Sequence, residues 1–223
     1  MKVDEKHLSL EERVFVILEE EILSGKLTRG TPLAEIALSQ RLGVSRTPIR
    51  AALSRLDDEG LIECVANKGS VVIGITKEDL IDIYNIRIRL EGLASRTAAE
   101  KISEEGLRSL LDSVELSEFY INKKDTEKLK ELDSEFHETI YREAGNRALC
   151  KTLSNLHRKI KSYRKLSINA EGRLERSVAE HREIYEAIAK GDAELADKLT
   201  SEHISEALRN LLVILEQKDK NGD

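Results

Sequence analysis

Asp133, His137, His181 and His203 are the residues of this chain best suited to hold a metal ion. Asp133 and His137 are four apart, so they share one face of a helix, bordering the apolar stripe Leu129, Leu132, Phe136 and Ile140. His181 lies inside the stripe Val178, Ile184, Tyr185 and Ile188. His203 continues the stripe Leu195, Leu199 and Ala207. Three separate helices therefore each turn a ligand-type side chain inward. An isolated buried polar group costs roughly 1–3 kcal/mol unless paired. One such histidine alone is ordinarily a core residue with its own partner, but a single divalent cation would satisfy all four groups together. One carboxylate and three imidazoles suit Zn²⁺, Ni²⁺, Mn²⁺ or Fe²⁺, and spacing does not choose among them. Zn²⁺ is the first expectation, with Ni²⁺ or Mn²⁺ as alternatives. His7 and His157 fit no inward pattern and are expected to be solvated.

A second chemistry lies between Arg41 and Arg55, RLGVSRTPIRAALSR, which holds four arginines and no acid in a chain of net charge −6. Arg46, Thr47 and Arg50 fall on the first turns of a helix that Ser45 can cap, where exposed backbone N–H groups attract phosphate. A helix entering the major groove uses arginine forks on guanine edges and Ser or Thr on phosphates. Lys68 and Gly69 occupy the tip of an expected hairpin and suit a wing lying along the backbone. A solvated helix face is the alternative, and the helix-turn-helix spacing, the cap and the wing weigh against it. Arg87 stands in the seam Leu80, Ile83/Tyr84, Leu90, Ala94, where a guanidinium needs an anion. That anion is either Glu91 at i+4 or a bound carboxylate. Arg89 is a less inward alternative, and Asn146 is expected only to cap its helix.

The elements that must position these groups are mainly helical. Ser9-Leu-Glu-Glu12 is a capping box opening a helix to about Ser24. Leu33–Leu42 and Ser45–Glu59 read as two more helices around Gly43. Apolar runs at 61–65 and 70–75 flank Ala66-Asn67-Lys68-Gly69 as a short hairpin. Thr76-Lys-Glu-Asp79 is a second capping box and a natural boundary. Beyond it, six helices are expected at about 77–101, 104–123, 126–144, 147–169, 173–190 and 193–217, joined by short loops that favour an antiparallel bundle. The fold class is therefore mainly α: an N-terminal winged helix-turn-helix at 1–75 and an all-α bundle at 76–223. Among 223 residues, 12 glycines and 2 prolines disfavour turn-dense β folds. No apolar run approaches the ~18 residues of a membrane span. MKVDEKHLSLEER has no signal-peptide stretch, so a cytoplasmic protein with no membrane partner is expected. Cys64 and Cys150 fit no metal or disulfide framework. The first bundle helix has a second apolar row at Ile81 and Ile88. It suggests a homodimer, which would present two recognition helices to a palindromic operator.

LGVSRTPIRAALSRLDDEGLI (42–62) and the NKGSVV wing resemble the DNA-binding domain of the GntR family of bacterial transcription regulators. The resemblance implies that Ser45, Arg46, Thr47, Arg50, Lys68 and Gly69 touch operator DNA. Three positions depart from the family pattern: Ala51 where an acid is usual, Arg29-Gly-Thr-Pro32 where Pro-Gly is frequent, and Ile36 where a basic residue is frequent. DSEFHETIYREAGN (133–146), HREIYEAIAKGDAELA (181–196) and His203 resemble the ligand-binding FCD domain of the FadR subfamily, over most of 78–215. In the metal-binding branch the resemblance puts the ligands on Asp133, His137, His181 and His203, with a small organic acid completing the metal's open positions. It also implies that Arg87 meets the acid's carboxylate.

The resulting expectation is a regulator, acting as a repressor, whose hold on an operator is released by a small carboxylate bound at a divalent metal. In one rival the metal is itself the signal or is purely structural. In another, Asp/His₃ activates water as an enzyme would. No separate general base accompanies the cluster in sequence, so no enzymatic activity is expected.

Overall fold

The computed structural model describes residues 9–65, 69–161, 163 and 172–221. It comprises two compact units, Met1–Asp79 and Leu80–Asp223. They divide a few residues beyond the boundary suggested by the Thr76–Asp79 box, whose hydrogen bonds are reciprocal: Asp79 N donates to Thr76 Oγ1 at 3.1 Å and Thr76 N to Asp79 Oδ2 at 2.9 Å.

The first unit runs α1 (Leu10–Leu23), β1 (Pro32–Leu33), α2 (Glu35–Leu42), α3 (Arg46–Asp58), β2 (Ile62–Val65) and β3 (Gly69–Val72). Ser9 caps α1 by accepting from Glu12 N at 3.1 Å. The helix buries Val14, Phe15, Leu18 and Ile22, at the spacing of one helical face. Gly43 ends α2 at φ 66°, the left-handed conformation that sends the chain sharply into α3. Ile49, Ala52, Leu53 and Leu56 of α3 pack into the same core, together with Leu33, Ile62 and Val72 of the strands. The sheet order is β1-β3-β2, antiparallel throughout, with Leu33 opposite Ser70 and Ile62 opposite Val72. Three details correct the sequence reading. The second helix begins at Glu35, because Pro32–Leu33 form an edge strand that buries Leu33; proline's missing N–H is tolerated at an edge. The third strand ends at Val72, short of 75. Ser45 holds the N-cap position of α3 with extended backbone, but its side chain makes no capping bond.

The second unit is α4 (Lys77–Lys101), α5 (Glu104–Lys123), α6 (Thr126–Glu143), α7 (Arg147–Lys159), α8 (Arg173–Ala189) and α9 (Ala193–Asn221), α4 beginning just before the division. Ser103, Asp125 and Asn146 cap α5, α6 and α7 by accepting from Gly106 N, Lys128 N and Leu149 N. Each satisfies one of the N–H groups a helix start leaves open. Leu110, Val114, Phe136, Ile140, Tyr141, Leu153, Ile184 and Ile188 centre a core built from every helix of this unit. Helix α4 crosses α9 closely at small residues. A Cβ on Gly92 would lie 2.2 Å from Asp197 Oδ1. Thr200 Oγ1 donates to Ser95 Oγ at 2.7 Å, and Ser201 Oγ to the Ile88 carbonyl at 3.0 Å. The helix expected over 147–169 is described as helix to Lys159, and 164–171 lie outside the described residues. No described helix is long and apolar enough to cross a membrane.

Candidate metal centre and nucleic-acid interface

Helices α6, α8 and α9 bring Asp133, His137, His181 and His203 together, with one ligand atom from each all lying within 4.8 Å of one another. His203 Nε2 is 3.3 Å from His181 Nε2 and 3.3 Å from His137 Nε2. Asp133 Oδ1 is 3.7 Å from His181 Nε2 and 3.9 Å from His137 Nε2. Donors bound at ~2.1 Å to one ion stand about 3.0–3.4 Å apart in octahedral or tetrahedral sets, so the imidazole spacing fits a shared cation. The three histidines are buried.

The partners of the outer nitrogens support the same fit. His203 Nδ1 donates to Glu180 Oε2 at 2.5 Å, and His137 Nδ1 faces Glu91 Oε2 at 2.9 Å. The hydrogen assigned from Glu180 sits on His203 Nδ1, so the His203 Nε2 lone pair points into the cluster, where His137, its Nδ1 toward Glu91, also presents Nε2. Facing lone pairs repel in the absence of a positive centre. Burial, with the neighbouring His203 and His137, pushes His181 well below the usual histidine range. Burial, with His137 and Arg173, does the same to His203. Neutral imidazoles are the form that ligates metal.

Arg87 is buried in the same unit, its Nη2 2.6 Å from Glu91 Oε1. Although burial opposes it, Glu91 holds the guanidinium above its ordinary pKa. Arg87 Nε and Nη1 have no hydrogen-bond partner among the described residues. Arg89 is exposed. His157 corrects the expectation of a solvated side chain: it is buried on α7, 3.4 Å from the Tyr141 hydroxyl, with its ring 6.0 Å from that of His137. His7 lies outside the described residues. Glu91 was visible in sequence only as a possible Arg87 partner. Glu180 and Arg173 carried no signal, since nothing in a charge-rich helix separates inward acids from outward ones.

In the first unit Ser45, Arg46, Thr47 and Arg50 are all exposed at the start of α3. The structure divides the four arginines of the basic window. Arg41 is tied to Glu21 at 2.7 Å, and Arg55 to Glu12 at 2.5 Å while lying 3.6 Å over the Phe15 ring, so both are structural. Arg46 and Arg50 face outward and share one carboxylate, Glu35, at 2.6 and 2.8 Å. The Arg50 and Arg46 hydrogen bonds hold Glu35 below the usual carboxylate range. Gly69 starts β3 at φ 88° and is exposed. Lys68 lies outside the described residues.

Residues 10–72 match the family of bacterial regulatory proteins called gntR, and residues 82–206 match the FCD domain. The chain belongs to the gntR family and carries an FCD domain. As a gntR-family protein it is a DNA-binding transcription regulator and not an enzyme. It is 32% identical over 206 residues to the HTH-type transcriptional regulator YdhC of Bacillus subtilis, covering 92% of each chain. It is 28% identical to the HTH-type transcriptional repressor RspR of Escherichia coli, covering 90% of this chain and 89% of that one. Among solved structures, E. coli McbR/YncC superposes with a TM-score of 0.71 at 24% identity, over 94% of this gntR-family chain and 99% of the other; this likeness concerns fold.

Proposed function

We propose that this gntR-family regulator is a repressor of the FadR subfamily whose grip on a palindromic operator is controlled by a small organic acid bound at a divalent metal. Asp133, His137, His181 and His203 would hold the ion, with Zn²⁺ the first candidate and Ni²⁺ or Mn²⁺ alternatives. The observation that carries the reading is the meeting of three buried imidazole nitrogens, 3.3 Å apart in successive pairs, beside a carboxylate. A bound ion would supply Lewis acidity and open positions for an acid's oxygens. Arg87 would meet the same carboxylate through Nε and Nη1, while its Nη2 serves Glu91. Ser45, Arg46, Thr47 and Arg50, with Lys68 and Gly69 of the wing, would contact DNA in the cytoplasm.

Relatives give the sign and the ligand class some support. The E. coli relative is named a repressor, and another at 32% identity over 156 residues is named the gluconate operon transcriptional repressor of Bacillus subtilis. A homodimer would align two α3 helices with two half-sites. An acid that binds one dimer geometry better would shift the population away from the other. The test is native mass spectrometry of the purified protein followed by operator titration. A dimer holding one metal per chain, released from operator by a carboxylate such as gluconate, is the expected result. Operator binding indifferent to a panel of carboxylates would sink the acid-responsive part.

A second reading makes the metal itself the signal, or purely structural. It is favoured by Arg87 already having a carboxylate partner in Glu91. Comparing the operator affinity of metal-free and metal-loaded protein separates the two. Control by metal alone changes affinity on loading with no acid present.

A further inference from the structure

Behind the four candidate ligands lies a second layer with a repeated pattern. His137 Nδ1 is 2.9 Å from Glu91 Oε2, and Glu91 Oε1 is 2.6 Å from Arg87 Nη2. His203 Nδ1 is 2.5 Å from Glu180 Oε2, and Arg173 Nη1 donates to both Glu180 oxygens at 2.9 and 2.8 Å. The order arginine, glutamate, histidine thus occurs twice, once from α4 to α6 and once from α8 to α9. The sequence spacing differs: Arg87 is four residues before Glu91, and Arg173 is seven before Glu180. Two unrelated local arrangements therefore converge on one geometry. Arg87 and Glu91 are each 1% exposed, and Arg173 is 3% exposed. Taking such charges out of water costs several kcal/mol per ion before pairing. A surface pair would hold the helices as well without that cost, so packing alone does not account for them.

We propose that Glu91 and Glu180 are positioning residues for the metal centre, each held in place by a buried arginine, Arg87 or Arg173. An imidazole can ligate through either nitrogen. With Nδ1 turned toward a carboxylate, His137 and His203 each present one ligating face, Nε2. His181 is held in another way, its ring stacked on Phe136 with centroids 4.2 Å apart and planes 17° from parallel. Asp133 brings its own charge. The centre is thus set by two carboxylate-backed rings, one packed ring and one anion. Glu91 also joins two functions, because the guanidinium that neutralises it is the one expected to meet the acid.

This inference rests on the metal reading, and its test keeps the two apart. Full-length protein is stripped of metal and titrated with Co²⁺ against a chromophoric chelator, and the visible spectrum of the bound Co²⁺ is recorded. The variants are Glu91→Gln, Glu180→Gln and, as a control, Glu183→Gln at an exposed position of α8. Glu91→Gln and Glu180→Gln should each weaken Co²⁺ by about 10–100-fold. Each should also alter the Co²⁺ ligand-field bands, which loss of stability alone would leave in place. Glu183→Gln should match wild type. If wild type takes up no Co²⁺, the metal reading fails and this inference fails with it. If wild type binds and both variants bind equally well with unchanged spectra, the positioning role alone is overturned. Should Glu91→Gln not fold, Glu180→Gln decides alone, since its carboxylate is already 26% exposed.

Discussion

His181 and His203 are buried bases held below their ordinary range, and this gives the metal-free protein a pH dependence of definite sign. Unfolded, each takes a proton near pH 6.5; folded, it does so only at lower pH. As pH falls through 6.5 the unfolded chain binds more protons, so stability falls by about 1.4 kcal/mol per pH unit for each histidine until the folded groups titrate. The urea midpoint of metal-free protein should therefore be lower at pH 5.5 than at 7.5, and His203→Ala should flatten that difference. Replacing a ligand outright has a simpler readout. His137→Ala should leave the purified protein without bound metal by elemental analysis, a greater loss than the ~10–100-fold an outer partner costs. The inward set Asp133, His137, His181 and His203 was legible in sequence because helical periodicity says which face is buried. Glu180 and Arg173 were not, and Glu91 only as a partner of Arg87, because 42 acids and 36 bases spread over the chain hide the few that turn inward. His157 was misjudged for a related reason: its partner, the Tyr141 hydroxyl, is on another helix.

The recognition helix gains its direction from the turn before it. Gly43 is at φ 66° with nothing within 4 Å of where a Cβ would stand, so Gly43→Ala strains backbone without a clash. A loss of about 1–2 kcal/mol is expected in thermal unfolding of the protein. On α3 itself, Arg50→Ala should reduce operator affinity by about 1–3 kcal/mol, measured by fluorescence anisotropy at fixed salt. An unchanged affinity would remove Arg50 from the interface. The existence of each described helix was readable because caps and glycines mark the ends: Ser9, Ser103, Asp125 and Asn146 all accept the bonds their positions require. The strand β1 escaped because two residues, one of them proline, carry no period. Only pairing to Ser70 and Val71, far along the chain, defines them.

Each unit has its own core, and the proposed homodimer would need an exposed apolar face. The apolar row expected at Ile81 and Ile88 is half-buried within the unit, and the large apolar side chains that α4 exposes are Ile86 and Leu93, 48% and 43% accessible. Seven residues apart, they share one helix face. Leu93→Glu should shift the protein from dimer to monomer in sedimentation and weaken operator binding with it. A dimer that survives the change would move the subunit contact elsewhere. The carboxylate of Glu35 has a consequence at this scale. Before any duplex arrives, Arg46 and Arg50 already share one internal anion, which cancels half of their charge. Docking then exchanges one anion for another in the chain, and fewer counterions are released than the number of arginines engaged would imply. Binding should consequently fall off gently as ionic strength rises, so that under the proposed control the acid, rather than the salt content of the cell, would set the occupancy of DNA.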